Sequence, residues 1–376
     1  MRILAIDVGT GTQDILLFDS SVAIENCFKM VAPSPTVVIA NRIRNATAGG
    51  HDIFLSGVTM GGGPCRWAAE DHLRAGLHLF ATADAARTFD DDLEVVRGMG
   101  VQIVGDDLPP PDDPDVVHIP LKDVDLSALC AVFAALDVSY HYDGIAVAVQ
   151  DHGAAPPGVS DRLFRFEYLQ RTIAARNSLL SFAYLADEVP PFLTRMRAVV
   201  DTVGDAQPLL LVDTGPAAAL GALEDPEVAD HVDRILVNIG NLHTLAFRLV
   251  EDQVLGFFEH HTGLLTPEKL NYLVNRLNSG QLTHEEVFSD HGHGAFVLGT
   301  TKPSGFLTVT GPRRAMMSGS PLKPYFAVPC GDMMLAGCFG LVRAFGEKIP
   351  EWREEIACAL GTTCDEVNSA PDIPPH

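Results

Sequence analysis

The 376-residue chain is short of positive charge: 26 lysines and arginines stand against 49 aspartates and glutamates, a formal charge of −23 at neutral pH. A surface this acidic repels nucleic acid and anionic lipid, which argues against both as partners. Cysteine occurs seven times, at 27, 65, 130, 330, 338, 358 and 364, without a CxxC pair or a zinc spacing. That usage reads as reduced, mostly buried thiols. No apolar run reaches the roughly 18 residues of a bilayer span, and the strand-like N-terminus carries no basic-then-apolar leader. A cytoplasmic location is expected.

What is present is ordinary for a globular protein, 47% apolar and 20% charged. The length suffices for two domains or two large lobes with ample core. The informative stretch comes first, RILAIDVGTGTQDILLFD from Arg2 to Asp19. Apolar runs Ile3–Ile6 and Ile15–Phe18 end on Asp7 and Asp19 and flank Gly9-Thr10-Gly11-Thr12. This pattern predicts a β-hairpin with a permissive turn. Such a turn aims backbone N–H groups and two threonine hydroxyls at one point, which suits a phosphate. Asp7, at the strand end, is placed to hold Mg²⁺ directly or through water, or alternatively to cap the turn. A chain with so few cations must hold nucleotide phosphates with amides and metal, and the hairpin offers both.

Further along, Thr36–Ala40 predicts a third strand, and Phe54–Gly57 leads into Gly61-Gly62-Gly63-Pro64 ahead of a helix from about Cys65 to Ala75. Three glycines before a helix either bind an anion or make a tight turn. Ala83–Gly98 predicts a helix whose Asp90–Asp92 run is a solvated face, and Gly105–Pro120 a surface loop. Asp143–Val149 reads as a buried strand delivering Gln150-Asp151-His152-Gly153 at its C-terminal end, where α/β sheets carry ligands. Arg162–Val200 is helix-dominated with a break at Pro190-Pro191. Leu209–Val212 is a strand ending on Asp213, ahead of a small-residue helix from Pro216 to Leu223. Then the opening pattern returns: Ile235–Thr244 puts Gly240 where Gly9 stood and Asn238 where Asp7 stood, and Val254–Phe258 completes a meander before Glu259-His260-His261.

The ordered set of first hairpin (Asp7–Gln13), small-residue helix (Asp213–Gly221), second hairpin (Asn238–Thr244), turn (Val309–Pro312) and final helix (Asp332–Phe345) resembles the actin, Hsp70 and sugar-kinase ATPase superfamily. The resemblance implies an α/β chain with a two-lobed actin-like ATPase fold, duplicated ribonuclease H-like domains and an interlobe nucleotide cleft. It places a first lobe at 1–205, a second at 206–345 and a C-terminal helix with a frayed tail at 346–376. It also implies ATP and Mg²⁺ as cofactors. More narrowly, the start, Gln150–Gly153, Glu259–Gly263 and Pro329–Gly337 resemble a microbial family labelled "putative pyruvate formate-lyase activating enzyme". Radical activating enzymes need CxxxCxxC to hold an iron–sulfur cluster, and that spacing does not occur here. Two positions depart from the superfamily pattern. Asn238 with Gly240-Asn241 replaces Asp with Gly-Gly, and Gly311-Pro312 replaces the usual glycine pair of the adenosine turn.

On this reading Asp7 is catalytic and metal-binding. Gly9, Thr10, Gly11, Thr12 and Gln13, with Gly240, Asn241 and Thr244 opposite, position the phosphates, and Gly311 serves the adenosine. Asp213 and Asp151 are alternative bases for an acceptor hydroxyl, with helix capping the other role open to Asp213. Gln150, His152, Glu259, His260 and His261 are substrate contacts. The histidines of the EHH segment, together with His291 and His293, either bind a divalent metal or make cleft hydrogen bonds. The expected function is an Mg-ATP phosphotransferase or ATPase acting on a small polar metabolite, or alternatively a nucleotide-gated activator of a partner enzyme. Expected partners are that small molecule or that enzyme, with a homodimer left open and no nucleic acid or membrane.

Overall fold

The computed structural model describes residues 1–105, 112–204, 207–299 and 303–361. Strands β1 (Arg2–Val8) and β2 (Thr12–Asp19) pair antiparallel in the predicted hairpin, and β3 (Phe28–Pro33) adds to β2. On the other side, β4 (Gly144–Val149) runs parallel to β1. Beyond it, β5 (Ala183–Leu185) and β6 (Leu209–Asp213) complete the order β3-β2-β1-β4-β6-β5. Every side chain of β4 and β6 is buried, as expected of central strands covered on both faces.

A second sheet repeats the plan. Strands β7 (Asp233–Ile239), β8 (His243–Val250) and β9 (Gln253–His261) form an antiparallel meander. The short β10 (Gly294–Val297) joins β9, while β11 (Phe306–Thr310) lies parallel to β7 and carries β12 (Tyr325–Phe326). Period-2 alternation splits β7 between two cores. Ile235, Val237 and Ile239 pack with the helix Pro267–Asn278, and Leu236 faces the central cluster shared with the first sheet.

Between β3 and β4 the chain builds a third, all-parallel sheet from Asp52–Gly57, Leu79–Thr82, Gln102–Val104 and Val116–Leu121, with its own core around Ile43, Leu55, Ala81 and Ile119. Several expectations change here. The predicted loop 105–120 contains a strand, though residues 106–111 lie outside the described residues. Thr36–Ala40 is helical, inside Pro35–Gly49: Ser34-Pro35 starts the helix, and the β-branched run there hides a helical period. The predicted helix 83–98 breaks into Ala83–Ala86 and Leu93–Gly98 around the acidic run. Cys27, Cys65, Cys130, Cys330 and Cys338 are free thiols as expected, whereas Cys358 is disulfide-bonded. The tail beyond Gly361 lies outside the described residues.

Two helices cross at the centre, Thr214–Ala222 after β6 and Ala336–Lys348 near the C-terminus. Their backbones touch. A Cβ on Gly221 would stand 1.6 Å from the Ala336 carbonyl oxygen, and one on Gly340 would stand 1.9 Å from that of Ala217. The second helix also packs on the first sheet, with the Cys338 thiol 3.2 Å from the Asp14 carbonyl oxygen. The expected boundary at 345/346 therefore falls inside a helix that the central core holds.

Gly221→Ala should force these backbones apart and cost about 3 kcal/mol or more in urea unfolding. Gly98→Ala, in a helix with open space around the added methyl, should be neutral or slightly stabilising.

Candidate active-site cavity

The two hairpins turn alike. Gly9 N–H donates to the Thr12 carbonyl at 3.0 Å, and Gly240 N–H to that of His243 at 2.9 Å. Their tips meet, since a Cβ on Gly11 would lie 2.4 Å from Asn241 Nδ2. A third glycine turn joins them: a Cβ on Gly63 would lie 3.4 Å from a Leu242 methyl and 3.8 Å from the Thr10 methyl. Gly63 has φ +61 and heads the helix Pro64–Arg74, which has no side-chain cap. Pro64 carries no N–H, and the Cys65 N–H donates to the Thr36 hydroxyl at 3.3 Å. Below these turns lies a cavity of about 440 Å³, within the range of small-ligand pockets.

Six aspartates (7, 14, 90, 91, 151 and 161) and four arginines (66, 87, 162 and 195) line the cavity. Asp7 and Asp14 are register partners across the first hairpin, so their carboxylates share one face. Each keeps a buried oxygen (Oδ1) without a hydrogen-bond partner. Burial, reinforced by repulsion from Asp14, holds the Asp7 carboxyl well above the usual range. Burial likewise raises Asp14, to about 7, with Asp332 adding repulsion. Asp7 approaches the second crossing helix because Gly337 has no side chain, a Cβ there falling 1.9 Å from Asp7 Oδ2. Two facing carboxylates with orphaned oxygens and, among the described residues, no salt bridge form a donor set suited to a hard dication.

The far wall is organised by two guanidinium groups. Arg195 binds Asp123 at 2.7 Å and the Gln150 carbonyl at 2.8 Å, and Asp123 accepts the Gly61 N–H at 3.1 Å. Wholly buried Arg165 holds Glu259 at 2.9 Å, Asp213 at 2.7 Å and the Asp151 carbonyl at 2.7 Å. Asp151 accepts from the Gly153 and Met196 amides, and burial raises its carboxyl against those bonds. Beside it, His152, His243 and His293 converge. Burial lowers all three imidazoles, His152 to about 3, with repulsion from neighbouring cationic and imidazole groups adding.

Of the residues singled out in the sequence, Asp7, Gly9, Thr10, Thr12, Gln150, Asp151, His152, Gly240, Asn241 and Gly311 line the cavity. Gly311 has φ +96 and must be glycine, because a Cβ would meet the Ile239 carbonyl oxygen at 2.5 Å. The others are placed elsewhere. Asp213 is 1% exposed, caps the first crossing helix at Gly215 and is paired with Arg165. Gln13 turns to the Asp123 carbonyl, Gly11 packs on Asn241, and Thr244 bonds to the Thr262 hydroxyl. Glu259 belongs to Arg165, and His260 to Asp290 and the His261 carbonyl. His261 packs on His243 and His293 behind the wall.

Sequence reasoning missed Asp14, Asp90, Asp91, Arg195 and His243. Counting register back from a four-residue turn would have paired Asp14 with Asp7. The acidic run read as a solvated face instead borders the cavity, where burial and Asp151 raise Asp91 to about 6. Nothing local marks Arg195.

Fold and site together define a mixed α/β protein in which two sheets of matching plan present facing glycine hairpins over an acidic cavity. The chain belongs to the family described as "Putative pyruvate format-lyase activating enzyme (DUF1786)", whose profile matches residues 60–316. Among the described residues no group of cysteines could hold an iron–sulfur cluster. No curated protein matches the chain. Solved structures give loose likenesses. One is "Lmo2764 protein, a putative N-acetylmannosamine kinase, from Listeria monocytogenes", with 10% identity, 93% of this chain and 99% of that one, and TM-score 0.35. Another is the ROK hexokinase from Thermus thermophilus, with 11% identity, 91% and 97% coverage, and TM-score 0.30. A third is the activator of the 2-hydroxyisocaproyl-CoA dehydratase from Clostridium difficile with bound ADPNP, with 10% identity, 94% and 98% coverage, and TM-score 0.32.

A carboxyl whose folded pKa is raised stabilises the fold below its unfolded pKa, and that stability is lost as pH rises through the folded value. Asp14 therefore predicts that metal-free protein loses thermal stability between about pH 4 and pH 7, the ordinary carboxyl value and the raised one. Melting curves across this range should show the fall. Asp14→Asn should flatten it, and Mg²⁺ should lift the high-pH end.

Proposed function

We propose that this chain binds Mg·ATP in the cavity and acts as a phosphotransferase or ATPase on a small polar metabolite, on a duplicated ribonuclease H-like, actin-like fold. The observation that carries the reading is the meeting of two like hairpin turns, one from each sheet, over a pair of unneutralised carboxylates. In this reading the amides of Thr10 and Asn241 and the Thr10 and Thr12 hydroxyls hold the phosphates. Asp7 and Asp14 hold the metal ion, which when bound neutralises charge on the phosphate oxygens. Gly311 and Pro312 border the base. The loop Gly61–Gly63, fixed by Asp123 and Arg195, faces the transferred group.

Asp151, on the cavity and raised by burial, is the candidate acceptor of a substrate proton. Asp213, neutralised by Arg165, orients Arg165 and through it the Asp151 loop. A second reading, a nucleotide-gated switch acting on a partner enzyme, draws on the crossing helices: a backbone contact this close is a natural pivot between the sheets.

Titration calorimetry with Mg·ATP tests the nucleotide step. Asp7→Asn should abolish magnesium-dependent binding while keeping or raising the melting temperature, since one of two repelling carboxylates is gone. Wild-type affinity in that variant would sink the proposal. ADP release stimulated by a metabolite pool separates kinase from switch: slow turnover that no metabolite accelerates favours the switch.

A further inference from the structure

We infer that His152, His243 and His293 form a second metal site, distinct from the hairpin carboxylates, that takes a transition-metal dication of the zinc or iron(II) class. One nitrogen from each of the three histidines lies within 4.8 Å of the others. Their ring centroids are 5.1–5.5 Å apart. They come from three separate segments: the loop after β4, the start of β8 and the loop before β10. No local turn or helix accounts for their meeting.

The second observation is the state of the nitrogens. His293 is fully buried, and neither ring nitrogen has a hydrogen-bond partner; His243 Nε2 is also buried and unpartnered. A buried polar atom left bare costs about 1–3 kcal/mol, and an ion seated among the three rings would take one nitrogen from each. By contrast His260, next in sequence to Glu259, has both nitrogens engaged. The ligand set expected from the EHH and HxH segments is thus replaced by another, which keeps only His293.

Three imidazoles suit zinc, iron, nickel or copper rather than magnesium. Glu259 Oε2 stands 4.0 Å from His293 Nδ1, beyond hydrogen-bond reach, and is held by Arg165. His152 and His243 line the cavity while His293 lies behind them, so the remaining coordination positions are reachable from the cavity. Three protein ligands with an open position is the arrangement of a catalytic rather than a structural ion. The ligand that fits there is a small molecule presenting a carboxylate, phosphate or hydroxyl oxygen.

The test uses untagged full-length protein, stripped with chelator and titrated separately with Zn²⁺ and Co²⁺. Wild type should bind one equivalent at this site, and Asp7→Asn should retain it, which separates this site from the nucleotide reading. His152→Asn and His243→Asn should each weaken binding about 100-fold, while exposed His141→Ala should change nothing. X-ray absorption of the wild-type Co²⁺ form, which needs no variant, should show imidazole scattering. Failure of wild type to bind either ion, binding unchanged in the double variant His152→Asn/His243→Asn, or an oxygen-only shell would overturn the inference.

Discussion

One buried guanidinium ties the molecule together. Arg165 spends its donors on Asp213 at the end of β6, Glu259 in β9 and the carbonyl of Asp151 after β4. It thereby links both sheets and the loop carrying Asp151 and His152. Two carboxylates without it would be charges buried in apolar surroundings, a loss of about 3–5 kcal/mol. Because the fork of a guanidinium is planar and rigid, it fixes direction as well as charge. Gln150, bonded to Glu259 at 2.9 Å, is held by the same network.

The crossing helices supply the complementary constraint. Arg165 fixes the far wall, while Gly221 and Gly340 fix how closely the two crossing helices approach. With the tips together, Asn241 occupies the space a side chain on Gly11 would need, and the cavity is roofed by backbone. The chain is acidic, and three glycine turns border its cavity. The price is the unrelieved repulsion between Asp7 and Asp14, which a bound dication would relieve.

Much of the fold was legible. The hairpins, the meander and the buried strand Asp143–Val149 follow from period-2 apolar runs bounded by glycine, signals that burial on one or both faces imposes directly. Thr36–Ala40 was not legible, because a short β-branched run suits either period and the deciding signal was the Ser34-Pro35 start. The parallel sheet at 52–121 escaped because its strands are short and one was masked by the proline- and aspartate-rich stretch before it.

By itself the sequence determined which backbone turns exist and that glycine must stand in them, since φ values such as that of Gly311 exclude a Cβ whatever the surroundings. It could not determine which side chains meet. Asp213 and Asp151 look alike as strand-end carboxylates, yet Arg165 neutralises one from 48 positions away and leaves the other on the cavity. His260 and His293 both stand in histidine-rich segments, yet one is satisfied by Asp290 while the other is buried bare beside two partners from distant segments. Local geometry is encoded within a few residues, whereas charge pairing and ligand convergence depend on distances that exist only once the sheets are packed.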